Sequence, residues 1–158
     1  MTRLPSLGPR GEGWVAIQVV LLGAIGVAGW LLGPDWDWPA SDWSAVVGVG
    51  LVVGGAAQAA LGLLHLGGSL TPLPHPRSDA ELIESGMYGR VRHPIYGGLI
   101  VGAVGWALVR ASLVTLALAG LLWLFFRLKS AREEAWLLEW FPGYADYRSR
   151  TRRFFPVP

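Results

Sequence analysis

Two short polar clusters interrupt an otherwise apolar chain, and together they suggest a ligand site at a membrane–water boundary. The first, at 86–96, reads Gly-Met-Tyr-Gly-Arg-Val-Arg-His-Pro-Ile-Tyr and carries Tyr88, Arg90, Arg92, His93 and Tyr96. The second gathers Arg127, Lys129, Arg132, Glu133 and Glu134. Pro94 suits the first turn of a helix, where its missing N–H is not needed. The residue before a proline is pushed out of the helical region, so Arg92 and His93 fall at a helix N-terminus. Free N–H groups and the helix dipole favour an anion there, such as a carboxylate. Tyr96 lies within the first turn of that helix and could face the same pocket. Lys129 lies four residues before Glu133 and shares its helical face. Adjacent helical residues point about 100° apart. One of Glu133 and Glu134 could therefore face the His93 loop while the other points to solvent. Glu134, kept among the candidates, is expected to face solvent in a charged helix end. Taken only as composition, the first cluster would serve equally as a basic and aromatic anchor beside a membrane.

These clusters need a scaffold, and the rest of the chain supplies apolar helices. The chain has 158 residues, enough for one domain, and only 15% are charged, against about 25% in ordinary soluble domains. Its 22 glycines and nine tryptophans are typical of membrane helices and their ends. The absence of cysteine excludes disulfides, thiolate catalysis and cysteine metal sites. Four apolar segments stand out, at 14–32, 44–66, 94–108 and 112–126. The first two approach the ~20 residues a helix needs to cross the hydrocarbon, and the third is marginal. The first is too long for a signal-peptide core and is expected to stay in the mature chain. Gln18 interrupts it, and Gln58, in the second, is expected to bond to a neighbouring helix.

Arg110-Ala111-Ser112 is a short connection, so the last two segments are expected to form an antiparallel hairpin. The final helix should run on to Phe141, where Pro142-Gly143 stops it. The expected fold is an all-α integral membrane protein with about four transmembrane helices, a C-terminal hairpin and a cytoplasmic helical extension. It reads as one domain, with a two-span region at 1–66 and a ligand-binding region at 67–158. Of 13 basic residues, 12 fall on one side and Arg110 alone on the other. The positive-inside rule then puts both termini and the loop at 67–93 in the cytoplasm, at a plasma or prokaryotic inner membrane. Trp36, Trp38 and Trp43 crowd the outer loop. The pairs Gly29/Gly33, Gly50/Gly54 and Gly98/Gly102 permit close helix packing. A Pro-rich connector at 71–76 should hold the loop near the membrane, with a helical turn at 79–85 ended by Gly86. Tyr144, Tyr147 and the basic, aromatic run at 148–155 are expected to lie on anionic lipid. Nucleic-acid binding fits poorly with so apolar a chain. His65 and His75 have no metal-ligand spacing, so no metal is expected.

Several ordered motifs coincide across residues 67–156: Leu-Thr-Pro-x-Pro at 70–74, Leu-Ile-x-x-Gly-x-Tyr-x-x-Val-Arg-His-Pro-x-Tyr at 82–96, Arg-Glu-Glu at 132–134, Phe-x-Gly-Tyr-x-x-Tyr at 141–147 and Arg-Phe-x-Pro at 153–156. Together they resemble the superfamily of isoprenylcysteine carboxyl methyltransferases and phospholipid methyltransferases. The resemblance implies an integral-membrane methyltransferase that uses S-adenosylmethionine. It places cofactor binding on Leu82, Ile83, Tyr88, His93, Pro94, Ile95, Tyr96 and Glu133, with Glu134 beside them. Where the eukaryotic enzymes carry an arginine associated with the acceptor, this chain has Lys129, a point charge without the bidentate fork. Methyl transfer from a sulfonium is an in-line displacement that positioning can accelerate strongly. An amine acceptor would also need a base, such as His93. The candidate catalytic set is thus His93, Arg92 and Lys129, acting on a lipophilic acceptor that enters from the bilayer. Two other classes stand beside this one. Membrane sterol-type reductases would use NADPH and carry more spans and more phosphate-binding basic residues. A non-catalytic four-helix membrane protein would carry charges within its spans.

Overall fold

A computed structural model describes residues 5–34, 41–69, 71, 73–75 and 81–156. Trp36 and Trp38 of the expected outer loop lie outside these residues, as do parts of the 71–76 connector and of the expected turn at 79–85. The protein is all-α: α1 Glu12–Leu31, α2 Ser41–Leu66, α3 Pro94–Val109, α4 Leu113–Trp140 and α5 Tyr144–Arg150. Helices α1, α2 and α4 are long and apolar enough to cross a membrane. Their outer faces leave Val20, Trp30, Leu31, Trp43, Val53 and Leu64 more than half exposed. So continuous an apolar surface is stable only in lipid. Three helices of spanning length and one shorter apolar helix thus stand where about four spans were expected, and the shorter one is the segment that the sequence marked as marginal. At 16 residues α3 rises only about 24 Å, short of the ~30 Å hydrocarbon core.

Helix α3 packs most intimately against α2, antiparallel to it, and only then against α4. Gly48, Gly55 and Gly62 recur every seven residues, which is close to two helical turns, and line one stripe of α2. A Cβ at Gly55 would meet the Gly98 carbonyl at 2.5 Å and the Gly102 nitrogen at 2.7 Å, and one at Gly48 would meet the Gly105 carbonyl at 2.7 Å. Backbone lies on backbone, which only glycine permits. Gly98 and Gly102 thus belong to the seam, as their spacing suggested. Gly50 and Gly54 do not, since a Cβ at either would meet nothing. The partner stripe on α2 runs on sevens, not on the Gly-x-x-x-Gly pair.

The apolar core lies between α1, α3 and α4, around Trp14, Leu21, Ile25, Ile100, Leu122 and Phe126. The connection from α3 to α4 is as short as expected. The Ser112 hydroxyl caps α4 by accepting from the Thr115 N–H at 3.3 Å. At that end Arg110 donates to the Gly29 carbonyl at 2.6 Å and lies over the rings of Trp30 and Trp106. Helix α4 continues to Trp140, as the Pro-Gly stop required. The described part of 79–85 is not helical. The turn falls instead on Gly86–Gly89, a 3₁₀ turn, because Gly86 takes a φ of 59° and leaves no room for a Cβ against the His65 ring.

Candidate functional site

The site forms where α3 begins. The chain from Arg90 to His93 is paired by the tail that follows α5, through a parallel bridge between Val91 and Arg152. Arg92 N–H donates to the Arg152 carbonyl at 2.9 Å, His93 N–H to that of Arg153 at 2.9 Å, and Arg152 N–H back to that of Arg90 at 2.9 Å. From α2, the Gln58 amide donates to the Pro94 carbonyl at 3.0 Å and to the Phe154 carbonyl at 2.9 Å. The bond to Pro94 is the one expected of Gln58, to a neighbouring helix; the bond to the tail at Phe154 is an addition. Val91, Tyr144, Tyr147 and Phe154 are buried. The run at 144–155 is therefore a clamp folded over the His93 segment and not a strip on lipid. Its aromatic residues alternate because they alternate into a protein interior.

Two neighbouring carboxylates on α4 meet this segment in different ways. Glu133 accepts from the Tyr96 hydroxyl at 2.9 Å and lies 3.9 Å from His93 Nδ1. The His93 ring stacks on Tyr96 at 5.4 Å, and Tyr96 stacks in turn on Phe126 at 4.5 Å. Glu134 does not face solvent. Its side chain is 2% exposed and meets Arg92 at 2.8 Å, His93 Nε2 at 3.1 Å, Arg153 at 3.2 Å and Arg148 at 3.3 Å. The expectation of a solvated helix end failed because the cations that surround Glu134 come from the 92–93 segment, α5 and the tail. No local spacing on α4 reveals them.

Between these elements lies a cavity of about 380 Å³, within the range of small-molecule sites, roughly 300–1,000 Å³. Of the residues singled out from sequence, Leu82, Ile83, Tyr88, Arg92, His93, Ile95, Tyr96, Lys129 and Glu133 line it. Pro94 and Glu134 do not. Pro94 is buried behind the wall against Gly62, and Glu134 is occupied by its cations. Lys129, the only lysine in the chain, is almost fully buried. It reaches towards α1, donating to Gln18 Oε1 at 2.5 Å over the face of Tyr96 at 5.1 Å. Gln18 is a wall residue that the sequence marked only as an interruption of the first span. Glu81, Phe141 and Tyr144 were also missed as wall residues. Thr71, Leu73 and Pro74 roof one side, pinned where the His75 ring meets Trp136 at 5.4 Å and Trp140 at 5.7 Å.

Burial, with the Glu133 charge nearby, pushes the Tyr88 phenol well above its ordinary pKa. Burial and the charges of Glu134 and Glu133 do the same for Tyr144. Burial raises Tyr147 to about 12, and its hydroxyl donates to the Tyr88 carbonyl at 2.8 Å. These groups are neutral hydrogen-bonding and stacking surfaces, not anions. The Tyr144 hydroxyl, at the cavity wall, has no partner among the described residues. No group of three or more metal-ligating side chains occurs among the described residues.

The bundle and its polar end define a class: integral membrane proteins with a small-molecule cavity at one end of a helical bundle, sealed by a C-terminal clamp. The chain belongs to the phospholipid methyltransferase family, whose profile matches residues 43–143. It is 35% identical over 81 residues to the protein-S-isoprenylcysteine O-methyltransferase of Schizosaccharomyces pombe, covering 50% of this chain and 34% of that one. It is 31% identical over 114 residues to a probable protein-S-isoprenylcysteine O-methyltransferase of Oryza sativa, covering 70% and 60%. It is also 36% identical over 81 residues to the nickel-cobalt-cadmium resistance protein NccN of Alcaligenes xylosoxydans, covering 51% and 38%. The chain thus spans between about a third and three fifths of the length of these relatives. The solved structure of the eukaryotic intramembrane Ras methyltransferase, isoprenylcysteine carboxyl methyltransferase, superposes with a TM-score of 0.67 at 21% identity, over 96% of this chain and 54% of that one. The fold is shared, and the matched residues include the His93 segment and both glutamates.

Proposed function

We propose that this chain transfers a methyl group from S-adenosylmethionine to a lipophilic acceptor that reaches the cavity from the bilayer. The observation that carries the proposal is the convergence of Tyr88, Arg92, His93, Tyr96 and Glu133 on one cavity at the end of an apolar bundle. The wall fits such a cofactor. Glu133 offers a carboxylate to an ammonium, and Arg92 and the His93 turn face a carboxylate. Tyr88 offers a neutral ring to an adenine or a sulfonium, and the unpartnered Tyr144 hydroxyl is a donor still to be used. The bound cofactor would supply a methyl group on a positively charged sulfur. The chain's part is to orient that end and to exclude water. The stacked rings of His93, Tyr96 and Phe126 fix the floor of the site, and Thr71, Leu73 and Pro74 cover one side.

Lys129 supports an acceptor with an electron-rich or anionic end, held near the Tyr96 ring by a point charge. The names of the relatives point to an isoprenylcysteine carboxylate. A carboxylate acceptor needs no base, whereas an amine would call on His93. The split of 12 basic residues against Arg110 supports placing the cavity and both termini on the cytoplasmic side of a plasma membrane. Calorimetry on detergent-purified protein with S-adenosylmethionine and with NADPH tests the reading. S-adenosylmethionine should bind and NADPH should not. The reverse result would make the chain a reductase, and binding of neither at millimolar concentration would remove the enzymatic reading.

A further inference from the structure

We infer that Glu134 is a positioning residue that fixes the tautomer of His93, and that His93 Nδ1 and Glu133 thereby form one subsite for a primary ammonium. The inference rests on the methyl-donor reading above for the identity of the ammonium, and on the geometry of the chain for the rest. His93 is held on every side. Its backbone N–H is bonded to the Arg153 carbonyl at 2.9 Å. Its ring is stacked on Tyr96 at an interplanar angle of 6° and packed on Phe154 at 6.2 Å. Its Nε2 lies 3.1 Å from Glu134 Oε1, within hydrogen-bond range, whereas its Nδ1 lies 3.9 Å from Glu133 Oε2, outside it.

A neutral imidazole has one donor nitrogen and one acceptor nitrogen, and the partner of one decides the role of the other. Glu134 can only accept, because its carboxylate is ionised among Arg92, Arg148 and Arg153. The Nε2 atom therefore carries the proton, and Nδ1 keeps its lone pair on the Glu133 side. Glu133 is itself tied by the Tyr96 hydroxyl at 2.9 Å. A lone pair and a carboxylate 3.9 Å apart, with no proton between them, are a poor pair alone and a good pair around a donor. An –NH₃⁺ group has three N–H donors and can bond to both at once. Glu134 never touches the ligand. It acts through the ring.

Nitrogen-15 spectra of histidine-labelled full chain in detergent, at about pH 8, where an ordinary imidazole is neutral, test the inference. His93→Gln identifies the His93 signals among the three histidines. The wild type should show a protonated Nε2 and an unprotonated Nδ1, and the Nδ1 signal should move on saturation with S-adenosylhomocysteine. Glu134→Gln, whose amide can present either oxygen or nitrogen, should mix the tautomers. It should also weaken S-adenosylhomocysteine about tenfold, the scale of one lost charged hydrogen bond. The same variant should weaken the deaminated analogue, which lacks the ammonium but keeps the carboxylate that faces Arg92, clearly less. A purely structural Glu134 would weaken both ligands equally, and that result overturns the inference. So does a wild-type His93 protonated on Nδ1, which can be read even if Glu134→Gln fails to fold. The expected tautomer with no binding of S-adenosylhomocysteine would instead strike out the methyl-donor reading and the ammonium subsite with it, leaving Glu134 as the group that orients His93.

Discussion

Replacing Glu133 by glutamine isolates the charge at the centre of the proposed site. The amide keeps the length of the side chain and an oxygen that still accepts from the Tyr96 hydroxyl, now 2.9 Å away. The fold should therefore survive, since Glu133 contributes no other hydrogen bond to the His93 segment at normal distance. What disappears is the negative charge facing the cavity. A hydrogen bond to a charged group contributes about 1.5–3 kcal/mol. The Glu133 side chain is 23% exposed, so solvent screens part of this, and the lower half of that range applies. At 1.4 kcal/mol per decade this is a loss of about tenfold in affinity for S-adenosylmethionine. Isothermal calorimetry on detergent-purified protein measures it, with a melting curve of the unliganded variant as control. Unchanged affinity would refute the assignment of Glu133. A loss of affinity matched by a comparable drop in melting temperature would show that Glu133 holds the fold and not the cofactor.

Three further outcomes follow from the packing. Glu134→Ala removes the anion shared by Arg92, His93, Arg148 and Arg153; Arg148 and Arg153 can turn to solvent, but stranding the nearly buried Arg92 guanidinium costs about 3 kcal/mol, the lower end for a broken buried pair. Its melting temperature should fall far more than that of Glu133→Gln, and equal stability would mean the cluster is dispensable. Gly55→Leu forces a side chain into the Gly98 and Gly102 backbone and should destabilise by about 1–3 kcal/mol or more. Gly50→Leu, which meets open space, should stay within about 0.5 kcal/mol. Equal effects in thermal melts would refute the seam. The folded pKa of Tyr147 is about 12, raised from 10.0, with Tyr88 and Tyr144 raised as well. Groups whose folded pKa is raised stabilise fully below the unfolded pKa and lose that contribution as pH rises through the folded value. Melting temperature should therefore hold to about pH 10 and fall towards pH 12, with Tyr147→Phe showing a shallower decline.

Much of the site was legible because its parts are local. Pro94 sets the start of α3, the Pro142-Gly143 pair ends α4, and the short turn at 110–112 makes α3 and α4 neighbours. Those facts are enough to bring His93 and Glu133 together. What the sequence hid was pairing between distant segments. Glu134 reads as a solvated helix-end charge until the tail returns with Arg153, and the tail reads as lipid-binding until Val91 pairs with Arg152. Lys129 shares a helical face with Glu133 by its spacing of four, and both line the cavity. The structure pairs the lysine across the bundle with Gln18, because α1 leans on α4 at that level. The seven-residue glycine stripe at 48, 55 and 62 was present in the sequence but overshadowed by the more familiar spacing of four at Gly50 and Gly54. The third apolar segment, marginal for a span by its length in the sequence, is the short helix α3.

The central claim is methyl transfer to a lipophilic acceptor, and one measurement meets it directly. The purified chain is reconstituted in lipid vesicles and supplied with S-adenosylmethionine labelled in its methyl group, with a prenylated cysteine bearing a free carboxylate added to the bilayer. The account predicts that label moves into the organic-soluble fraction with the wild type, and at a strongly reduced rate with Glu133→Gln at sub-saturating cofactor. Label that stays in the aqueous phase for this acceptor and for the vesicle lipids alike, from protein that binds the cofactor, would contradict it.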